Sequence, residues 1–303
     1  MNNTPLQKSI SLSSWGLMLL LALIWGGSFT ANRAALTELG VLTTVATRVS
    51  GAALALWLWV FARGLPVPCG LRWIGTCLLL GLLNNILPFT LIVWGQTQIA
   101  SGLAAILNGT TALFSVLLAA LVYRDEALTL RRGLGVALGL AGVITVIGPS
   151  ALTGIDLTSL AQLAILGAAA SYAAAAVIAR KALQGVRAEV GAAGMLTASA
   201  LVMVPLALWR EGPPTLDHAL QVWAALAYLA LVASALAYMI FYVILSRAGA
   251  GNLGLVTLLI APVAILFGAL AFGESLSPHA YGGFALLTVG MLVLDGRLFA
   301  RHR

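Results

Sequence analysis

Charge is the scarcest commodity in this chain of 303 residues: Asp, Glu, Lys and Arg together make up 8%, against about 25% in an ordinary soluble domain. A water-exposed globular surface is excluded on that ground alone. Cysteine occurs twice, as Cys69 and Cys77, in or beside one apolar segment and without CxxC or Cys/His ligand spacing, so neither a disulfide framework nor a metal site is indicated. No Walker sequence, HExxH, GxSxG elbow or paired aspartates occur, and no nucleotide, metal or other cofactor is expected. Lys and Arg outnumber Asp and Glu by 16 to 9. The cations stand singly between apolar runs rather than in a basic patch, which argues against a nucleic-acid partner.

What remains is hydrocarbon. The chain is 61% hydrophobic, with a mean hydropathy of +1.04. Apolar runs occupy residues 14–36, 41–62, 72–97, 100–123, 130–149, 157–181, 188–209, 218–246, 250–272 and 278–298. A bilayer core of about 30 Å takes about 20 helical residues per crossing, so the expected fold is an all-α integral membrane protein with ten transmembrane helices. Lys8 ahead of the first run admits a signal peptide, but that run outlasts the ~7 to 15 residues of a signal core and is closed by Arg33.

Cation placement gives the orientation. With the amino terminus in the cytoplasm, the inside segments hold 13 of the 16 cations, the outside ones keep Arg33 and Arg210, and Arg48 falls within a span. This follows the positive-inside preference, so both termini are assigned to the cytoplasmic side.

The chain also matches itself. A shift of 148 residues places Glu126 on Glu274, Leu128 on Leu276, Thr129 on Ser277, Gly135 on Gly283, Gly142 on Gly290 and Trp94 on Tyr242; a shift of 147 places Trp25 on Tyr172 and Arg33 on Arg180. Two units are expected, 1–150 and 151–303. Each holds five spans, an odd number, so the second must enter the membrane from the opposite side. An inverted 5+5 repeat is an architecture of alternating-access transporters.

The run from Leu23 to Arg33, together with Val122 to Thr129 and Ala261 to Pro278, resembles the EamA group of the drug/metabolite transporter superfamily, and most closely its YddG-type amino-acid exporters. That resemblance covers nearly the whole chain. It implies a ten-helix exporter of small metabolites in the bacterial inner membrane, with amino acids as cargo. One departure is Phe114, which stands in the first repeat where the second has Pro262, and a symmetric proline hinge is thereby in doubt.

Polar groups within apolar runs are normally turned away from lipid, because an unpaired one costs several kcal/mol there. On this ground the candidate substrate-binding residues are Asn84, Asn85, Asn108, Tyr238, Tyr242 and Arg48, with Trp25, Tyr172 and Trp94 as aromatic walls. Amides and phenols suit a zwitterion or another small neutral solute. Helix-to-helix bonding is the alternative for each, and snorkelling to the headgroups for Arg48. Trp15, Trp57, Trp59, Trp73, Trp209 and Trp223 read as interface anchors, and Glu126 and Glu274 as caps of short connections.

All nine carboxylates fall in loops or near span ends. Proton-driven carriers commonly use a buried acid or histidine, so facilitated movement is favoured over proton coupling. The alternatives are a proton-coupled transporter of drugs or nucleotide sugars, and, outside transport, a membrane receptor or scaffold. An intramembrane enzyme would need catalytic groups at depth that the sequence lacks.

Overall fold

The computed structural model describes residues 11–122, 129–147, 157–248 and 255–295. Glu126, read in the sequence as a cap, lies outside them. Every regular element among the described residues is helical. In chain order these are α1 (Leu12–Ala35), α2 (Val41–Ala62), α3 (Leu71–Gly95), α4 (Ser101–Val122), α5 (Leu130–Ile147), α6 (Leu157–Ala182), α7 (Ala188–Arg210), α8 (Leu220–Ala227, continuing through Tyr228–Leu236 to Ala237–Ala248), α9 (Leu255–Phe272) and α10 (Pro278–Asp295). Seven are long and apolar enough to cross a membrane, and α5, α9 and α10 contribute shorter apolar stretches. Their outward faces carry Leu19, Leu54, Leu58, Phe61, Leu201 and Leu270 in the open. A helix surface of that kind is stable against lipid and a liability in water.

Two helices depart from α geometry. In α3 the stretch Leu82–Ile86 is π-helical, the Leu87 amide reaching back five residues to the Leu82 carbonyl. Pro88 gives the reason: it has no amide with which to meet the Asn84 carbonyl, and a widened turn relieves the mismatch. In α8 the π stretch is Tyr228–Leu236. There the Ser234 hydroxyl takes the Leu229 carbonyl at 2.8 Å, competing with the backbone for its acceptor. Shifted by 148, the first stretch falls inside the second. Each is gripped by a side chain from a helix of the other half: Ser171 donates to the Leu83 carbonyl at 2.7 Å and Trp25 to the Ala233 carbonyl at 3.3 Å.

Packing follows the same correspondence. The pairs α1 with α9, α3 with α6 and α3 with α7 have counterparts five helices on, α6 with α4, α8 with α1 and α8 with α2, and all six are among the principal contacts. Two further pairs, α2 with α7 and α5 with α10, map onto themselves. Both run antiparallel. Trp57 of α2 bonds to Thr197 of α7 at 2.7 Å while Thr43 meets Glu211 just beyond the far end. In the other pair, a side chain added at Gly135 would lie 2.8 Å from the Gly290 carbonyl oxygen, and one at Gly142 an equal 2.8 Å from that of Gly283. Only glycine permits backbones to approach so closely.

At one end of the bundle, three carboxylates tie connections together. Glu38 accepts from the Ala219 amide at the start of α8 and pairs with His218. Glu211 accepts from the Leu42 and Thr43 amides of α2. Glu274 accepts from the Ser101 amide of α4. Each satisfies first-turn donors of a helix from a different hairpin, and the positive end of the helix dipole favours the carboxylate.

Candidate functional site

A cavity of about 310 Å³ lies among α1, α2, α3, α4, α6, α7, α8 and α9, within the size range of small-molecule sites. Helix α1 offers it one face, Trp25, Ser28, Phe29 and Asn32, at the i, i+3, i+4, i+7 spacing of a single stripe. Tyr172, Ala176 and Ala179 extend along α6, with Leu183 just past its end, and Tyr238, Phe241 and Tyr242 along α8.

One end is sealed. Asn32 donates to the Gln96 side-chain oxygen at 2.9 Å. The Gln96 amide group donates to the Phe29 carbonyl at 2.8 Å and to the Ser101 hydroxyl at 3.3 Å, and Ser101 donates onward to Glu274 at 3.1 Å. Arg33 covers the Gln96 backbone carbonyl at 2.7 Å. Gln96 and Ser101 are fully buried. Toward the other end the lining runs out to Leu183, in the connection between α6 and α7, and includes the exposed Ala176. The cavity therefore opens at the end bearing the α2–α3 and α6–α7 connections.

Of the sequence candidates, Trp25, Arg48, Asn84, Asn108, Tyr172, Tyr238 and Tyr242 come together on this lining. Asn84 donates to the Tyr238 hydroxyl at 2.9 Å, bridging α3 and α8. Tyr238 in turn donates to Asn85 at 3.2 Å. Asn85 lies away from the lining: it is fully buried and donates to Ser199 of α7 at 3.2 Å. Trp94 also stands off the cavity, half-buried against the core. Asn108 lies at the break between the two segments of α4, its side-chain oxygen buried without a hydrogen-bond partner. Arg48 does not snorkel. It is 6% exposed, donates to the Ser234 hydroxyl at 3.0 Å and lies over the Phe89 ring, 3.8 Å from its centroid.

Sequence reasoning passed over Phe89, Asn32 and the role of Gln96. Asn32 was legible in the helical spacing from Trp25, had the run up to Arg33 been read as one face rather than as the end of a span. Two of the aromatic anchors are also reassigned: Trp57 bonds Thr197 and stacks on Phe61, and Trp73 packs over Gly194, so both hold helices together.

The sequence pattern of the EamA-like transporter family matches residues 13–148 and again residues 159–294. The chain belongs to the EamA-like transporter family. Relatives among known proteins align with most of its length. One is a probable terminal-alkyne amino-acid exporter of Streptantibioticus cattleyicolor, 27% identical over 296 residues, with 97% of each chain covered. Another is an uncharacterized transporter of Archaeoglobus fulgidus, 28% identical over 261 residues, covering 85% of this chain and 89% of the other. A third, from Synechocystis, is 23% identical over 288 residues, covering 90% and 87%. A protein of known crystal structure superimposes with a TM-score of 0.67 at 20% identity, over 96% of this chain and 99% of the other; it shares the fold. The chain is thus a multi-pass membrane protein of an EamA-like transporter family, with two matched repeats.

Proposed function

We propose that this protein is an exporter in the bacterial inner membrane that moves a small amphipathic metabolite bearing a carboxylate, of the amino-acid class, by alternating access and without proton coupling. The observation that carries the reading is the cavity between the two halves, sealed at one end and open at the other, with aromatic walls and a few convergent polar groups. Such a site releases cargo to one side only until the halves exchange shapes.

The ten helices are read as ten crossings in two units, 1–150 and 151–303, inverted relative to one another. Antiparallel packing of the self-paired helices, α2 with α7 and α5 with α10, supports the inversion. Cation placement puts the open end and both termini in the cytoplasm, so the cavity stands ready to load from within. Arg48 is assigned to the cargo carboxylate, Asn84, Asn108 and Tyr238 to its polar groups, and Trp25, Tyr172 and Tyr242 to its apolar body. Asn85 and Trp94 are assigned to support. The name of the Streptantibioticus relative favours amino acids and their derivatives. No acidic side chain is found on the lining among the described residues, which supports facilitated movement.

The test is uptake by liposomes holding the purified protein, with labelled amino acids, N-acyl amino acids and nucleotide sugars supplied down a gradient at equal pH on both faces. Saturable uptake of a carboxylate-bearing compound is expected. Uptake that requires an imposed proton gradient overturns the uncoupled mechanism, and a preference for nucleotide sugars overturns the cargo class.

A further inference from the structure

The charge balance of the cavity narrows the cargo, on the reading that the cavity is its path. Arg48 brings a fixed positive charge into a buried site, and its neighbours are neutral: the Ser234 hydroxyl and the Phe89 ring. Among the described residues no carboxylate lies within salt-bridge distance of it, and none stands on the lining. Glu38, Glu211 and Glu274 are committed to amides at the sealed end, and Glu189 to Arg187. A ring face offsets part of the desolvation of a guanidinium, and full compensation requires an anion.

Elsewhere on the lining, the side-chain oxygens of Asn32 and Asn108 are buried without partners. Neither oxygen is open to the cavity, which therefore presents one uncompensated cation and, among the described residues, no carboxylate to meet a second. A zwitterion supplies a carboxylate for Arg48 but adds an ammonium, which needs both an opposing charge and up to three acceptors. The occupied cavity would keep a net positive charge in a low-dielectric site. A monoanion whose nitrogen, if present, is uncharged leaves the occupied cavity neutral and asks for one acceptor.

We infer that the cargo binds as a net monoanion, its carboxylate on Arg48 and its apolar or aromatic body against Trp25 and Tyr172. The chemical class is an N-acyl amino acid or an arylalkanoate rather than the free amino acid.

Four probes that share a phenylpropanoyl skeleton and span net charges from negative to positive test this with the full chain: N-acetylphenylalanine, 3-phenylpropionate, phenylalanine and phenylalaninamide. Binding is measured in detergent by scintillation proximity, and uptake in liposomes at equal pH. N-Acetylphenylalanine and 3-phenylpropionate are expected to bind at least ten-fold more tightly than phenylalanine, with phenylalaninamide weakest. Arg48→Met is expected to abolish the preference, while Arg48→Lys, which keeps the charge and loses the ring contact, retains it in part. The comparison among probes on the unaltered protein stands even where a variant fails to fold. Phenylalanine binding as tightly as its N-acetyl form, or anion affinity unchanged in a folded R48M, overturns the inference. Anion binding that depends on Arg48 without any uptake keeps the site and overturns the transport reading; preferred uptake of phenylalanine does the reverse.

Discussion

Asn32 and Gln96 close the cavity from opposite sides of its sealed end, the Asn32 amide donating to the Gln96 side-chain oxygen at 2.9 Å with both residues buried. Gln96 holds two more partners, the Phe29 carbonyl and the Ser101 hydroxyl. Replacing it with leucine strands the buried Asn32 amide, at about 1 to 3 kcal/mol for an unsatisfied group. A loss of about 2.8 kcal/mol in the sealed state alone moves the balance between access states by about 100-fold. In a background with Cys69 and Cys77 replaced, Ser28→Cys labelling by an impermeant maleimide from outside is expected to rise strongly in Q96L. Labelling at the parental level would show that the seal lies elsewhere.

The two connections that follow the first helix of each half provide a topology test. Thr37 and Gln184 correspond at a shift of 147, and both are exposed. In intact cells T37C is expected to react with an impermeant reagent and Q184C only after inversion of the vesicles. Reaction of both from the same side removes the inverted relation. Cys69, exposed on the α2–α3 connection, is expected to behave like Q184C, and the buried Cys77 to stay unreactive in the folded protein.

Asn108 and Asn85 are both amides in apolar helices, yet their expected phenotypes differ. Asn108→Ala removes a group facing the cavity whose oxygen has no protein partner, so melting temperature should hold while transport falls. Asn85→Ala strips the bridge between Tyr238 and Ser199, and is expected to lose about 1 to 3 kcal/mol of stability. Thermal unfolding in detergent beside liposome uptake separates the two. Equal loss of stability in both variants contradicts the division between lining and support.

Gly290 packs so tightly on α5 that an added side chain would lie 2.6 Å from the Gly139 amide nitrogen and 2.8 Å from the Gly135 carbonyl oxygen, both of them backbone. Backbone has no rotamer with which to yield. Gly290→Val is expected to destabilise by about 1 to 3 kcal/mol or more, as overpacking does. An unchanged melting temperature would mean that the α5–α10 seam opens freely.

Glu211 serves α2 as an N-terminal cap from another helix pair, through the Leu42 and Thr43 amides and the Thr43 hydroxyl. Glu211→Ala is expected to cost about 0.5 to 2 kcal/mol, the range for loss of a cap, with glutamine intermediate. Chemical unfolding in mild detergent reads the difference.

Helix positions were legible because an apolar run must be about as long as the element it forms. The run 41–62 became Val41–Ala62, and the run 188–209 became Ala188–Arg210. Trp25 and Tyr172, paired by the repeat, meet on one lining for the same reason: a duplicated unit folds to duplicated positions. The π stretches were illegible. Pro88 marked a disturbance in α3, but no proline signals that of α8, where a serine hydroxyl and a distant tryptophan decide the matter. Arg48 was ambiguous because its destination depends on Phe89 and Ser234, contacts that no local spacing encodes. Gln96 looked like the end of a span because its bonds to two other helices are a property of the assembled bundle.

The seal itself is unequal between the halves. By the repeat correspondence, the positions matching Asn32 and Gln96 are Ala179 and Ile244, which have no hydrogen bonds to exchange through their side chains. On the proposed two-fold relation, closing the cytoplasmic mouth would bring a methyl group against a branched alkyl chain where the periplasmic mouth has an amide latch. On that relation duplication would supply two interchangeable gates, and divergence at two positions would give the empty carrier a resting preference for facing its source of cargo.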